Sequence, residues 1–219
     1  VTTERVLVAV DGAAGSGKTT LSRRLARILG VPYINTGLMY RGLAAAASRT
    51  GTPIEDEAAL LELARNLRFT LRGQDPIELE VAGYDHAALT SPEVESTVST
   101  VARHSSVRAW MRDRQRALGA DGAVMEGRDI ATVVFPDAPV KLFLHASRDA
   151  RGARRATERG ATDAERVAAA LRARDERDAV TNPLEPAPGA VVIDTGTLDI
   201  EGTLAEALAA VHRVWPARG

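Results

Sequence analysis

Eight residues near the start of the chain, Gly12-Ala13-Ala14-Gly15-Ser16-Gly17-Lys18-Thr19, have the spacing of a phosphate-binding loop, G-x-x-x-x-G-K-[ST]. They follow an apolar, β-branched run, Val6-Leu7-Val8-Ala9-Val10, and precede a helical pattern that opens at Lys18. The spacing has a physical reason. Gly12, Gly15 and Gly17 permit positive φ and close backbone approach, so successive N–H groups can converge on an anion. The helix opening at Lys18 adds its N-terminal N–H groups and dipole. Lys18 supplies a mobile point charge for the β- and γ-phosphates and Thr19 a hydroxyl for Mg²⁺; with Thr20, the stretch is the expected ATP site. The motif predicts that a nucleoside triphosphate binds, and leaves open what is done with it.

The rest of the chain narrows the choice. GTPases usually read guanine with Asn-Lys-x-Asp or Thr-Lys-x-Asp, and neither occurs. A mechanical ATPase ordinarily ends a strand in Asp or Asp-Glu to hold Mg²⁺. Here the apolar run 123–125 leads into Glu126-Gly127-Arg128-Asp129, a cation where a motor keeps carboxylates. Arginines recur. Arg41 follows Thr36-Gly37-Leu38-Met39-Tyr40, Arg108 has Arg112 one turn on, and Arg128 follows Glu126-Gly127. Arg151, Arg154 and Arg155 share one helix face, and Arg174, Arg177 and Asp178 another. Any single arginine is ordinarily a solvated charge. As a set they suit transfer between two phosphates, where catalysis is mostly positioning and charge neutralisation. Segment 151–160 reads as an Arg-rich helix–turn–helix with Gly160 as a C-cap. Its sharper reading is a lid that excludes water from an activated phosphate; its blander one is an exposed basic hairpin that does not close.

These residues need a frame. Apolar runs at 6–10, 123–125, 140–144 and 190–193 are short and continuous, as in strands buried on both faces. Helical patterns cover 18–29, 38–48, 58–67, 105–118, 164–177 and 201–214. The alternation predicts an α/β fold with a three-layer parallel sheet, whose ligands lie beyond the carboxyl ends of the strands. Segments 68–72 and 77–81 break the rhythm. Both alternate apolar and polar residues and are joined by Arg72-Gly73-Gln74-Asp75-Pro76. They predict a small antiparallel β insert, either a solvated hairpin or part of a substrate-binding region.

Composition sets outer bounds. The 219 residues are 45% hydrophobic and 26% charged, as in an ordinary globular protein, and no low-complexity linker or internal repeat is visible. A net charge of -1 argues against a general nucleic-acid or membrane surface. Without cysteine, a disulfide framework and a thiolate site are excluded. No signal-peptide pattern or apolar run of membrane-spanning length is present, so a cytoplasmic location is expected.

The chain resembles bacterial cytidylate kinase, of the nucleoside monophosphate kinase group. The resemblance rests on Asp11 through Lys18, Asn35 through Arg41, the block Glu126-Gly127-Arg128-Asp129-Ile130-Ala131-Thr132-Val133-Val134-Phe135-Pro136, Arg174 through Asp178, and Ile193-Asp194-Thr195, all in the family's order. It implies Mg-ATP-dependent phosphorylation of CMP or dCMP to CDP or dCDP, with small-molecule substrates only and a monomeric enzyme. It also implies a P-loop core (1–35, 119–150 and 178–219), a monophosphate-binding region enlarged by the β insert (36–118), and a lid (151–177). By match to the family, Ser99, Arg108 and Asp129 read cytosine. Thr36, Arg41 and Arg128 hold the acceptor phosphate, with Tyr40 in the same motif. Arg174 and Asp178 reach sugar and phosphate. Arg154, with Arg151 and Arg155 as alternatives, meets the transferring phosphoryl group beside Lys18 and Arg128. The acceptor oxygen is already anionic, so His86, His104, His145 and His212 are given no catalytic part. Three positions depart from the pattern: Thr36 stands where Ser is usual, Ala131 where Gly is common, and the segment after Asp178 is short and lacks a further Arg. The rivals are another small-molecule P-loop kinase, such as a UMP/CMP, adenylate or shikimate kinase, and a nucleotide-binding switch that transfers nothing.

Overall fold

In β1 (Leu7–Gly12) every residue is buried. Leu7 and Ala9 point into one apolar cluster, and Val8 and Val10 into another on the opposite face of the sheet. A strand with two apolar faces needs cover on both sides, and this chain supplies helices to each. The computed structural model describes residues 5–158, 169, 173, 176, 178 and 184–216.

β1 leads through the glycine-rich loop into α1 (Lys18–Leu29), then β2 (Tyr33–Asn35), α2 (Thr36–Thr50) and α3 (Glu57–Asn66). The hairpin β3 (Phe69–Arg72) and β4 (Glu78–Val81) follows, then α4 (His86–Leu89), α5 (Pro92–Val101) and α6 (Ser105–Leu118). β5 (Ala123–Gly127) runs into a π-helical turn, Ile130–Val134, before β6 (Val140–His145) and α7 (Arg148–Glu158). β7 (Val191–Asp194) and α8 (Ile200–Val214) complete the described order.

The seven described strands form one sheet in the order β3-β4-β2-β5-β1-β6-β7. All pairings are parallel except β3 with β4. α1 and α8 cover one face through Leu21, Leu25, Leu204, Ala207 and Val211. α2, α3, α5 and α6 cover the other through Met39, Leu43, Leu60, Val98 and Met111. The predicted α/β class and three-layer parallel sheet are present. Helices 18–29 and 105–118 have the predicted bounds, and the others shift by a few residues. Of the predicted helix 164–177, all but residues 169, 173 and 176 lie outside the described residues.

The β insert is built onto the main sheet. Phe69 pairs with Val81 and Arg72 with Glu78, while β4 joins β2 in parallel at Tyr33 and Glu78. Arg23 on α1 holds the Glu78 carboxylate at 2.6 and 2.9 Å. Four described elements went unpredicted: β2, the four-residue α4, α5 and the π turn. β2 is short and follows Pro32, so it makes no apolar run. α5 carried a legible start: Ser91 accepts from Val94 N at 3.3 Å, Pro92 opens the first turn, and Glu93 and Glu95 follow. The π turn has no sequence signature of its own.

Gly42 marks where α2 meets the insert. A Cβ there would lie 2.7 Å from Val81 Cγ1. Gly42→Ala gains up to ~1 kcal/mol of helix propensity. The overpacking costs ~1–3 kcal/mol because the valine is branched and buried. The expected outcome is a net loss of about 1 kcal/mol in urea unfolding; a stabilised variant would show that β4 yields freely.

Candidate functional site

The carboxyl ends of β1, β2 and β5 meet at one edge of the sheet. Parallel registers set Asp11 opposite Gly127, and Asn35 opposite Glu126. The loop after β1 therefore lies beside the loop after β5, with the start of α2 next to both.

In the first loop Gly12, Gly15 and Gly17 all have positive φ (148°, 74° and 88°). The expected glycine roles hold in the backbone. At Gly12 a Cβ would also collide with the carbonyl oxygen of Leu144. Lys18 is buried and donates from Nζ to Ala13 O at 2.7 Å. Thr19 Oγ1 donates to Glu126 Oε1 at 2.9 Å, and Tyr33 OH donates to the same oxygen at 2.7 Å. Asn35 Nδ2 donates to Tyr33 OH at 3.3 Å. Burial, and then the neighbouring Glu126 charge, push the Tyr33 phenol far above its ordinary pKa, so it stays a donor. Glu126 is 2% exposed, and among the described residues its Oε2 has no hydrogen-bond partner; nor has buried Ser16 Oγ in the loop. Two orphaned buried oxygens beside an anion-binding loop are the kind of group a ligand satisfies.

The second loop bears Arg128 and Asp129. Arg128 Nη1 donates to Gly12 O at 2.9 Å, and its guanidinium pairs with Asp178 at 3.2 Å. Ser99 Oγ donates to the other Asp178 oxygen at 2.9 Å. Arg108 Nη2 pairs with Asp129 at 2.6 Å. Arg116, two turns along α6, donates to the carbonyls of Val133 and Val134 at 2.9 and 2.8 Å. α6 thus holds the π turn at both ends. Thr36 Oγ1 donates to Glu126 O at 2.7 Å. Arg41 donates to Leu89 O at 2.9 Å and pairs with Glu95 at 3.4 Å, one turn from Ser99 on α5. Burial pushes the Tyr40 phenol up to about 12, with Arg108 and Asp129 among its charged neighbours. Ser99, Asp178 and Arg128 thus form one bonded set and Arg108 with Asp129 a second; Thr36 bonds the end of β5, Arg41 bonds α4 and α5, and Tyr40 lies near Arg108 and Asp129.

At the base of α7, Arg151 is buried and donates to Ala14 O at 3.0 Å. Arg154 bonds Thr195 through both its hydroxyl and its carbonyl, and Thr195 Oγ1 donates to Ser16 O at 3.0 Å. Arg174, Arg177 and the side chain of Arg155 lie outside the described residues. Sequence reasoning gave no role to Glu126 or Tyr33. Glu126 carried a usable signal, as a carboxylate ending an apolar strand. Its proximity to Thr19 depends on the pairing of β5 with β1 and β2, which no local pattern states. Among the described residues no helix is long and apolar enough to cross a membrane, and no cluster of three or more His, Cys, Asp or Glu has metal-binding geometry.

A parallel sheet with a P-loop between its first strand and helix, at the carboxyl edge, makes this a P-loop kinase fold. A family model described as cytidylate kinase matches residues 8–213. The chain is 42% identical to the cytidylate kinase of Granulibacter bethesdensis, over 97% of this chain and 99% of that one. It is 41% identical to the cytidylate kinase of Thermus thermophilus, over 95% and 100%. The chain belongs to the cytidylate kinase family. A crystal structure of an uncharacterized protein from Eubacterium ventriosum shares the fold, with a TM-score of 0.53 at 11% identity over 97% of this chain and 99% of that one.

Gly127 ends β5 where the start of α2 comes close. A Cβ there would lie 2.7 Å from both Thr36 Oγ1 and Ile130 Cδ1. Gly127→Ala is expected to cost about 1–3 kcal/mol in denaturant unfolding. An unchanged midpoint would show that Thr36 and Ile130 move aside without penalty.

Proposed function

We propose that this chain transfers the γ-phosphoryl group of ATP to CMP or dCMP, giving ADP and CDP or dCDP. The reading is carried by one observation: the P-loop and the Arg128–Asp129 loop are adjacent, with Asp11 opposite Gly127 and Arg128 bonded to Gly12 O. Family membership supplies the substrate class.

Roles follow from chemistry. The loop amides from Gly12 to Thr20 and the Lys18 ammonium cradle the ATP phosphates. Arg128, Arg41 and the Thr36 hydroxyl hold the acceptor phosphate. Its oxygen attacks the γ-phosphorus in line as the bond to the β-phosphate oxygen breaks, and ADP leaves with that electron pair. No general base is required, since the nucleophile is an anion. Asp129 accepts from the cytosine amine, while Arg108 and Ser99 donate to ring acceptors. Arg174 and Asp178 serve sugar and phosphate. Arg154, with Arg151 and Arg155 as alternatives, moves from α7 onto the transferring group.

Mg²⁺ fits the oxygen pair at Thr19 and Glu126, hard donors of the type this ion prefers, one of them with an oxygen left unpartnered among the described residues. When bound with ATP it supplies charge neutralisation on the phosphates. Tyr33 holds Glu126 Oε1 and so fixes the direction of Oε2.

The same reading divides the chain into a core of 1–35, 119–150 and 178–219, a monophosphate-binding region of 36–118 that contains the β insert, and a lid of 151–177. It makes the protein a cytoplasmic monomer that acts on small molecules alone, with no part in binding nucleic acid or membrane.

The deciding assay couples ADP release to CMP, dCMP, UMP, AMP and shikimate in parallel, each with Mg-ATP. Turnover with CMP and dCMP, and little with AMP or shikimate, is the expected result. Turnover with another acceptor would keep the P-loop chemistry and overturn the acceptor roles; none at all, despite ATP binding, would overturn transfer. Lys18→Ala is expected to lower kcat by roughly 100-fold or more; an unchanged kcat would remove Lys18 from the reaction. Asp129→Ala should lower kcat/KM for CMP by roughly 10- to 100-fold, with KM for ATP within about 2-fold. Equal loss for both substrates would make Asp129 a structural residue. Glu126→Gln should raise the Mg²⁺ concentration needed for half-maximal rate and weaken Mg²⁺-dependent ATP binding in titration calorimetry. Unchanged Mg²⁺ dependence in both would exclude Glu126 from the metal site.

A further inference from the structure

Asp11 has no part in the roles above, yet it is a buried carboxylate with both oxygens bonded to backbone amides. It precedes Gly12 in β1 and is 4% exposed. Its two oxygens accept from two successive backbone amides, Oδ1 from Ile130 N at 2.9 Å and Oδ2 from Ala131 N at 2.7 Å. Those amides open the π turn that follows Arg128 and Asp129 directly. The contact is returned in the other direction, because Arg128 donates to the carbonyl of Gly12, the residue after Asp11. Strand β1 therefore grips the second loop by a carboxylate, and the second loop grips the first by a guanidinium.

The residue type is what this grip requires. Two adjacent N–H donors need two acceptors on one short side chain, which an ionised Asp provides. An amide would satisfy one donor and turn its own NH₂ towards the other. The charge is held at a cost. Burial pushes the Asp11 carboxyl up to about 6, against the lowering by the two amides; Asp129 raises it further and Lys18 lowers it. A carboxylate kept buried beside a like charge is a poor choice for stability alone.

We propose that Asp11 is a positioning residue for phosphoryl transfer: it clamps the turn carrying Arg128 and Asp129 to the P-loop, and so sets the distance between acceptor and donor phosphates. The inference rests on the acceptor-site reading of Arg128 and Asp129. Transfer is sensitive to misplacement of this kind, since an error of about 1 Å can cost on the order of 100-fold in rate.

The test compares Asp11→Asn, which keeps shape and removes one acceptor, with Asp11→Ala and with Asp129→Ala. For Asp11→Asn, kcat with CMP should fall by roughly 10- to 100-fold. ATP affinity by titration should stay within about 2-fold, and the protein should stay folded at the assay temperature, with a Tm at or below that of the parent because one buried amide loses its acceptor. Amide exchange at Ile130 and Ala131 should quicken, while Val8 and Val124 in the sheet keep their protection. Asp11→Ala should deepen the kcat and exchange effects. Unchanged kcat in both Asp11 variants, alongside a damaged Asp129→Ala, overturns the clamp and leaves the acceptor site standing. Unchanged CMP use in Asp129→Ala overturns the acceptor-site reading, and the clamp with it. An Asp11→Asn protein that unfolds, or that loses ATP and CMP affinity in equal measure, assigns Asp11 to the fold and also overturns the clamp.

Discussion

The pairing of β5 with β1 is the constraint on which the rest of the site depends. Two parallel strands buried on both faces must end together, and their ends carry polar backbone that cannot stay unpaired in the interior. The chain meets this by using the two strand ends to satisfy one another. Asp11 takes the amides of Ile130 and Ala131, and Arg128 takes the carbonyl of Gly12. Thr36 at the start of α2 takes the carbonyl of Glu126. Three connections from different parts of the chain are thereby locked at one edge of the sheet. A Cβ at Gly127 would press against Thr36, and one at Gly12 against the carbonyl of Leu144 at the end of β6.

Charge at this edge is held in pairs rather than exposed. Arg128 pairs with Asp178, Arg108 with Asp129 and Arg41 with Glu95. Lys18 rests on Ala13 O, Arg151 on Ala14 O, and Arg154 on Thr195. A buried ion without a partner would cost several kcal/mol (on the order of 3–5), so carbonyls and carboxylates accompany each of these cations.

The β insert reaches the same centre through side chains. Glu78 in β4 holds Arg23 of α1, and Arg23 lies over the Tyr33 ring at 5.3 Å. Tyr33 in turn donates to Glu126, which accepts from Thr19. A continuous chain of contacts thus runs from the hairpin to the proposed metal pair, so the insert is tied to the donor site as well as to the region beside α2.

Much of this was legible in the residues. Gly12 through Thr19 announced the P-loop because phosphate binding is a local geometry, set by glycine φ values and the start of one helix. Strands at 123–125 and 140–144 were visible because burial on both faces demands continuous apolar runs. Helix α5 could have been read from Ser91-Pro92-Glu93, whereas β2 could not, since three residues after a proline carry no period. The block from Glu126 to Pro136 pointed to a site, but its partners did not follow from it. That Glu126 meets Thr19 and Tyr33, that Asp11 binds Ile130 and Ala131, and that Ser99 reaches Asp178 from 79 residues away in the chain were decided by tertiary structure alone. The reason is physical: spacing along the chain determines contacts within a turn of helix or a tight loop, while strand order and register determine which loops become neighbours. The local sequence thus specified the loop that binds phosphate, and the packing of the sheet specified what stands across from it.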